Sequence, residues 1–331
     1  MPRGDVVGTS GRRCDRMAEA RADKLWAITC FFNPVGYRRR LANYRVFRQH
    51  LAVPLVTVEL AFDGRFALGP GDAEILVQRQ GGAVLWQKER LLNLALRLLP
   101  ARCEMVAWLD CDIVFASADW AARACAALEA VPLVHLFHAR HEAPRDWAPD
   151  PANAWVASPA SQSVAYRMKR GEACPEDIYV PGNPQSRGSS AGLAWASRRD
   201  TLDAHGFYDA FIVGGGDRAM LCAALGESHR LAASVRMNAQ RTAHYRAWAQ
   251  ACFERVRGRV GCIPGHVLHL WHGDLADRKQ RERHHHLAQF DFDPVADLAV
   301  APSGAWRWNS AKPALHAFVR RYFESRNEDG G

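Results

Sequence analysis

Short apolar runs alternate with amphipathic segments through the first half of the chain. Apolar runs of about four to eight residues are typical of buried strands, and apolar residues repeated at the helical period are typical of helices. We predict strands over residues 25–32, 54–60, 74–77, 106–109 and 131–137, and helices over 37–51, 84–98 and 119–129. This order predicts an α/β fold with a mostly parallel, doubly wound sheet flanked by helices.

The second half of the chain is less regular. Pro, Gly, Asn and Ser are frequent over residues 139–190, where we predict loops, one short helix over 161–170 and an acceptor loop or lid around Pro181-Gly182-Asn183. Further on, we predict strands over 192–196 and 266–271 and helices over 241–260 and 276–289. We expect a disordered leader over 1–23, one large domain over 24–294, and a helical C-terminal extension over 295–331.

Composition narrows the class of protein. Of the 331 residues, 48% are hydrophobic and 24% are charged, as in ordinary globular proteins. The net charge of +8 is spread along the chain without a basic tract, so we expect no nucleic-acid partner; it indicates either a solvated basic surface or an anionic substrate. Nine cysteines without a C-x-x-C pair and without a signal peptide favour a cytoplasmic protein. No run reaches the length of about 18 apolar residues that a membrane span requires.

Two carboxylates follow the apolar run that ends at Leu109. Unpaired charges are costly to bury, so Asp110 and Asp112 at the exit of a buried strand call for a partner. In an extended chain, residues two apart share a face, and two hard oxygen ligands on one face suit Mn²⁺ or Mg²⁺. We therefore predict that this pair binds a divalent cation.

Other polar residues are expected at the same edge of the sheet. Asn33 and Glu59 follow predicted strands, and ligands bind parallel sheets at the carboxyl ends of their strands. Lys88 extends the apolar face of a predicted helix near its start, where a cation opposes the helix dipole and is better tolerated beside an anion. The alternative is a lysine whose charged end reaches solvent. Arg38, Arg39 and Arg40 open the first helix, and the same anion could attract one of them.

A glycine-rich turn precedes a second candidate acid. Gly214-Gly215-Gly216-Asp217 leads into an apolar helical segment. Asp217 could simply cap that helix. Alternatively, the glycines clear side chains away from Asp217, and the helix dipole favours its ionised form, so that it could accept a proton.

Three histidines lie on or beside the predicted strand over 266–271. We interpret His266 and His269 as ordinary surface or core residues. His272 comes at the end of the strand, before Gly273, where a side chain can face a cleft. Two carboxylates and one imidazole would suit Mn²⁺ somewhat better than Mg²⁺.

Together these residues resemble the GT-A-type nucleotide-sugar glycosyltransferases, especially family-2-like members related to the galactosyltransferase C-terminal domain. The matching segments are 32–37, 86–93, 109–112, 192–195, 214–217 and 272–273 with Arg278, in the family's order. The resemblance implies a Rossmann-like sheet, with a nucleotide-binding part over about 24–138 and an acceptor part over about 139–294. The chain departs from the pattern at Gly216, where galactosyltransferase relatives often carry a second acid.

The resemblance also implies roles for individual residues. It implies a metal held by Asp110, Asp112 and His272, with Asp217 as the acid near the acceptor. The donor contacts that we predict are Asn33, Arg38, Glu59, Lys88, Asn93 and Asp110. The expected partners are a nucleotide diphosphate sugar, in the first place a UDP-sugar, and a glycan or other hydroxyl acceptor.

The expected reaction is metal-dependent sugar transfer with inversion at the anomeric carbon, although the sequence leaves retention open. Two other activities remain open at this point. A nucleotidyltransferase that makes sugar nucleotides shares the sheet and the paired acids, but it normally has a Gly-rich basic loop after the first strand, and residues 33–37 match such a loop poorly. A non-catalytic protein that binds nucleotide sugars or carbohydrates could use the same scaffold.

Overall fold

The structure is a computed structural model that describes residues 24–148, 161–174, 189–274, 276–279 and 282–330. The leader predicted over 1–23 and the loop predicted around 181–183 lie outside the described residues. Within the described ranges, no helix combines the length and the apolar character needed to cross a membrane.

The described residues contain a long series of strands and helices. The strands are β1 Leu25–Phe32, β2 Leu55–Ala61, β3 Ile75–Gln80, β4 Met105–Leu109, β5 Ile113–Phe115, β6 Leu133–His135, β7 Ala139–Glu142, β8 Ser161–Ser163, β9 Ser189–Ser190, β10 Ala194–Arg198, β11 Val260–Cys262, β12 His266–His269, β13 Leu298–Val300 and β14 Trp306–Trp308. The helices are α1 Arg38–Gln49, α2 Lys88–Leu96, α3 Trp120–Ala130, α4 Val164–Lys169, α5 Arg199–His205, α6 Gly216–Ala224, α7 Ser228–Ser234, α8 Ala239–Val256, α9 Glu282–Leu287, α10 Pro294–Asp297 and α11 Pro313–Glu324.

Seven strands form a large sheet in the order β11-β6-β10-β4-β1-β2-β3. β1 pairs in parallel with β2 and β4, and β2 pairs in parallel with β3. β10 runs antiparallel between β4 and β6. The predicted α/β class with a mostly parallel sheet is therefore confirmed. The antiparallel strand was not anticipated, because an apolar run does not encode the direction in which its strand will pair.

Both faces of the large sheet are covered. All eight residues of β1 are buried, which explains why this strand is a continuous apolar run rather than an alternating one. Trp26 and Ile28 join the core that contains Leu91 and Leu92 of α2. Leu25 and other residues on the opposite face join a second core, with side chains from α1 and α3. The helices thus pack on both faces, as a doubly wound sheet requires.

A second, five-stranded sheet has the order β5-β12-β7-β8-β9. The region from 139 onward was predicted as loops, but it contains β7 and β8, whose sequences ARHE and SQS carry no apolar signal. Because β4 belongs to the large sheet and β5 to the small one, residues 110–112 connect the two sheets. Cys111 and Asp112 form a turn there, so the prediction that Asp110 and Asp112 share one face of an extended strand was wrong.

Helix α2 begins at Lys88, four residues after its predicted start at 84. Residues before it are held by distant backbone instead: the amide N–H of Trp86 donates to the carbonyl of Ile212 at 2.9 Å, and Gln87 Nε2 donates to the carbonyl of Trp306 at 2.8 Å. These contacts override the helical periodicity of this stretch. As a result, Lys88 and Glu89 lie in the first turn of α2.

The C-terminal region packs against the main core. The ring of Phe323, near the end of α11, stacks on Trp86 with centroids 6.2 Å apart and meets Phe32 edge-on at 6.3 Å. Leu315 and Val319 on the same helix are fully buried. Helix α11 therefore closes over the end of β1 at the edge where ligands of parallel sheets bind.

Candidate active site

A cavity of about 270 Å³ lies at the carboxyl ends of β1 and β4. Five of the residues singled out in the sequence line it: Lys88, Asp110, Asp112, Asp217 and His272. They come from α2, the turn after β4, α6 and the segment after β12. The fold thus brings together side chains that are far apart in the sequence.

Lys88 connects two of the predicted acids. Its Nζ lies 2.6 Å from Asp110 Oδ1 and 2.7 Å from Asp217 Oδ2, and its side chain is only 10% exposed. Burial opposes the charge on this amine, but the two carboxylates outweigh burial and raise the pKa of Lys88 well above its usual value. Burial also raises the pKa of Asp110 to about 6, although Lys88 acts in the opposite direction. The interpretation of Lys88 as a solvent-reaching lysine was therefore wrong, because its anions are two protein carboxylates.

Glu89, which the sequence analysis missed, lies beside this cluster. A Cβ added to Gly216 would lie 2.0 Å from Glu89 Oε1, so the carboxyl of Glu89 takes up the space that a side chain at position 216 would need. Burial raises the pKa of Glu89 to about 8; Lys88 lowers it and Asp217 raises it further. Glu89 is therefore a buried, protonated acid at neutral pH, next to Asp217. The glycine before Asp217 is required by this close packing.

Asp112 faces two histidines. His272 Nε2 lies 3.1 Å from Asp112 Oδ2, and His269 Nε2 lies 3.9 Å from Asp112 Oδ1. Within the described ranges, these three residues are the group of at least three His, Cys, Asp or Glu side chains whose ligand atoms all lie within 4.8 Å of one another. We call Asp112, His269 and His272 the metal set. It contains His269 where the sequence analysis predicted Asp110. His269 is a buried residue, as one of the two interpretations of its sequence position expected, and in addition its Nε2 lies within reach of the same cation position as Asp112 and His272.

The chemistry of the metal set fits a divalent cation. Asp112 Oδ1 is buried and has no hydrogen-bond partner among the described residues, which is costly unless another group binds it. Despite burial, His272 and His269 lower the pKa of Asp112, so it is a carboxylate. Burial lowers the pKa of His272 to about 4, so its imidazole is neutral, as a ligand must be. His269 Nδ1 contacts Glu142 Oε2 at 2.7 Å, a contact typical of metal-binding histidines.

Arginines make the cavity basic. Those that line it are Arg40, Arg140, Arg218, Arg278, Arg283 and Arg326. Burial, followed by repulsion from Arg326, lowers the pKa of Arg278, which shows how closely these cations are grouped. Guanidinium groups of this kind bind phosphate and carboxylate groups. The cavity therefore suits an anionic ligand.

Four of the predicted donor contacts are not among the residues that line the cavity. Asn33 Oδ1 accepts from the backbone N–H of Tyr37 at 3.0 Å and closes the turn after β1. Glu59 accepts from the N–H of Ala67 at 2.6 Å, and Asn93 donates to the carbonyl of Phe207 at 2.9 Å. The side chain of Arg38 is exposed, and Arg40, two residues later, lines the cavity instead. Polar residues at strand ends also hold the following loops, and sequence alone does not separate the two uses.

No protein-family model matches the chain, and no curated protein sequence matches it. Several solved structures are similar. The mannosyltransferase PcManGT from Pyrobaculum calidifontis, in complex with GDP-Man and Mn²⁺, is 16% identical over 92% of this chain and 72% of its own, with a TM-score of 0.41. Glucosyl-3-phosphoglycerate synthase from Mycobacterium tuberculosis, in complex with Mn²⁺, UDP and phosphoglyceric acid, is 12% identical over 87% of this chain and 81% of its own, with a TM-score of 0.39.

A variant of the Drosophila β-1,4-galactosyltransferase 7, in complex with manganese, UDP-Gal and xylobiose, is also similar. It is 10% identical over 59% of this chain, with a TM-score of 0.30, and the chain spans 58% of its length. These three similar proteins are glycosyltransferases, the class that the sequence resembles. Their TM-scores are below 0.5, however, so the activity of this chain has to be inferred from its own site.

The raised pKa of Glu89 predicts a pH dependence of stability. Between its ordinary value of 4.5 and about 8, Glu89 holds a proton in the folded protein but not in the unfolded chain. The free energy of unfolding should therefore fall as the pH rises from 5 to 8, with a contribution from Glu89 on the order of 3 kcal/mol. Urea unfolding across this range should show a smaller fall for Glu89→Gln than for the wild type. Glu254→Gln, at an exposed position, is the control, and an unchanged slope in Glu89→Gln would contradict the assignment.

The metal set predicts which histidine on β12 matters for cation binding. Replacing His269 by Gln removes one of three ligands, so we expect Mn²⁺ to bind at least about tenfold more weakly, as measured by isothermal titration calorimetry. His266→Gln is the matched control, because His266 begins the same strand but lies outside the metal set. Equal Mn²⁺ affinities of the wild type and His269→Gln would exclude His269 as a ligand.

Proposed function

We propose that this protein is a metal-dependent glycosyltransferase that moves a sugar from a nucleotide diphosphate sugar to an acceptor hydroxyl. One observation supports this proposal above all. The metal set and Asp217 line the same basic cavity at the carboxyl edge of a parallel sheet. Inverting sugar transfer from a nucleotide uses both parts: a cationic site for the leaving diphosphate and a carboxylate near the attacking hydroxyl.

The donor's diphosphate would bind at the end of the cavity that contains the metal set. Asp112, His269 and His272 would hold the cation, and Mn²⁺ suits their mixture of oxygen and imidazole nitrogen. When bound, such a cation would neutralise the charge of the leaving diphosphate. The surrounding arginines would contribute further hydrogen bonds to phosphate oxygens.

Asp217 would act on the acceptor. Lys88 binds its Oδ2, and within the described residues no hydrogen bond to the protein engages its Oδ1. That oxygen could accept the proton of an acceptor hydroxyl while the hydroxyl oxygen attacks the anomeric carbon. Direct attack of this kind inverts the configuration at that carbon, and NMR of the product would establish its stereochemistry.

Lys88 would keep the proposed base and the metal set at a fixed distance from each other. Its contact with Asp217 orients the base, and its contact with Asp110 ties the base to the turn that carries Asp112. Asp110 would therefore act through Lys88 rather than as a cation ligand. This assignment differs from the metal contact that the sequence resemblance implied.

Replacing Asp217 by Asn tests the proposed base. The amide is the same size but cannot take the proton, so transfer should fall roughly 10²–10⁴-fold, while donor binding changes little. Transfer is measured as donor consumption with Mn²⁺ and acceptor, and binding is measured by calorimetry. Asp200→Asn, whose side chain is 76% exposed, is the control. Transfer at the wild-type rate by Asp217→Asn would rule out Asp217 as the base.

The donor can be identified by a thermal-shift screen of UDP-, GDP- and dTDP-sugars with Mn²⁺. We expect one nucleotide class to raise the melting temperature because it binds only the folded protein. A donor-hydrolysis assay on that nucleotide sugar then separates an enzyme from a binding protein. Tight binding without hydrolysis or transfer to any acceptor would favour the non-catalytic alternative.

A further inference from the structure

The segment after α11 is attached to the cavity by several contacts. We call residues 325–330 the closing segment. Asp329 accepts from the backbone N–H groups of Arg38 at 3.1 Å and Arg39 at 2.8 Å, at the start of α1. A Cβ added to Gly273, directly after His272, would lie 2.6 Å from the carbonyl oxygen of Arg326. The closing segment therefore passes directly against the residue that follows a member of the metal set.

Glu328 is the buried acid of this segment. Its side chain is 1% exposed, and its carboxylate lies 2.5 Å from Arg326 Nε and 3.1 Å from Arg40 NH1. Its Oε1 is also 3.7 Å from Nδ1 of His272. Burial alone would raise the pKa of Glu328, but Arg40 and Arg326 lower it well below its usual value. The carboxyl group of Glu328, which is paired with two guanidinium groups, therefore lies on the Nδ1 side of the His272 ring.

A related arrangement, with a shorter contact of 2.7 Å instead of 3.7 Å, occurs at the other histidine of the metal set. Glu142 contacts Nδ1 of His269, whose Nε2 faces Asp112. Glu328 lies on the Nδ1 side of His272, whose Nε2 also faces Asp112. A carboxylate at Nδ1 favours the tautomer with its proton on that atom, which leaves a lone pair on Nε2 for a metal. Glu142 and Glu328, which are far apart in the sequence, thus orient the imidazoles of the metal set toward Asp112.

We propose that Glu328 is a positioning residue of the metal centre, which holds His272 in the tautomer and orientation that bind a cation. This inference depends on the metal-binding part of the proposed function. Attachment of the closing segment does not require such a group, since two other contacts already hold it: those of Asp329 with α1, and the backbone N–H of Asn327, which donates to the hydroxyl of Tyr37 at 3.2 Å. A buried charge is a weak device for stability alone, because its desolvation offsets much of its attraction.

The test is Mn²⁺ binding to the full chain without nucleotide, measured by calorimetry on Glu328→Gln. We expect at least a tenfold weaker affinity, similar to that of Glu142→Gln. Glu324→Gln removes an exposed carboxylate from the end of α11 and should bind Mn²⁺ like the wild type. Asp329→Asn loosens the closing segment without touching His272; it should lower the melting temperature but leave Mn²⁺ affinity within about twofold of wild type. Co²⁺ absorption spectra should change in Glu328→Gln and not in Asp329→Asn.

Other results would overturn the proposal. Wild-type Mn²⁺ affinity in Glu328→Gln would do so, as would losses of affinity in Glu328→Gln and Asp329→Asn that simply follow their losses of thermal stability. If Glu328→Gln does not fold, the double variant Arg326→Met/Glu328→Gln removes the nearer of the two cations that would lose their partner, and it should still bind Mn²⁺ weakly. A wild-type protein that binds no Mn²⁺ would refute the metal set and this role together. A wild-type protein that binds Mn²⁺ but transfers no sugar would refute only the proposed function.

Discussion

The site depends on one ammonium group shared between two carboxylates. Lys88 starts α2, Asp110 directly follows β4, and Asp217 lies in the first turn of α6, so this contact fixes three elements relative to one another. Removing one partner of a buried ion pair typically costs about 3–5 kcal/mol, because the remaining charge stays buried. The cation also lies at the unfavourable end of its helix dipole. A buried ion pair of this kind contributes more to the fixed positions of its side chains than to the stability of the fold.

The sequence was sufficient for the parallel strands β1 to β4 of the large sheet and for half of the site. The strand–helix alternation predicted the parallel sheet, and the carboxyl ends of its strands indicated where Asp110 and Asp112 would lie. Lys88 could be identified because a cation on the apolar face of a helix, near its start, is costly unless an anion lies beside it. Asp217 and His272 were found as polar residues beside glycines at element ends, and both line the cavity.

The rest of the site depends on contacts that no local pattern records. His269 and Glu142 meet because β12 and β7 pair in the small sheet, and β7 is too short and too polar to be recognised as a strand. Glu328 reaches His272 only because α11 packs over the end of β1. The carboxyl of Glu89 fills the space beside Gly216, although 127 positions separate the two residues. Residues 214–217 contain a single acid, Asp217, whereas the folded protein places a second acid, Glu89, beside it.

The turn after β4, at residues 110–112, couples the two ends of the cavity to two different sheets. Asp110 directly follows β4 of the large sheet and is bound through Lys88 to α2 and α6, whereas Asp112 faces histidines at and beyond the end of β12, in the small sheet. A single residue, Cys111, separates them. Any rotation of one sheet against the other would therefore change the spacing between the two ends of the cavity by way of this turn. In the proposed reaction, the rigidity of this junction would set how precisely the donor and the acceptor are aligned. A substitution far from the cavity that loosened the junction would then act on alignment rather than on affinity.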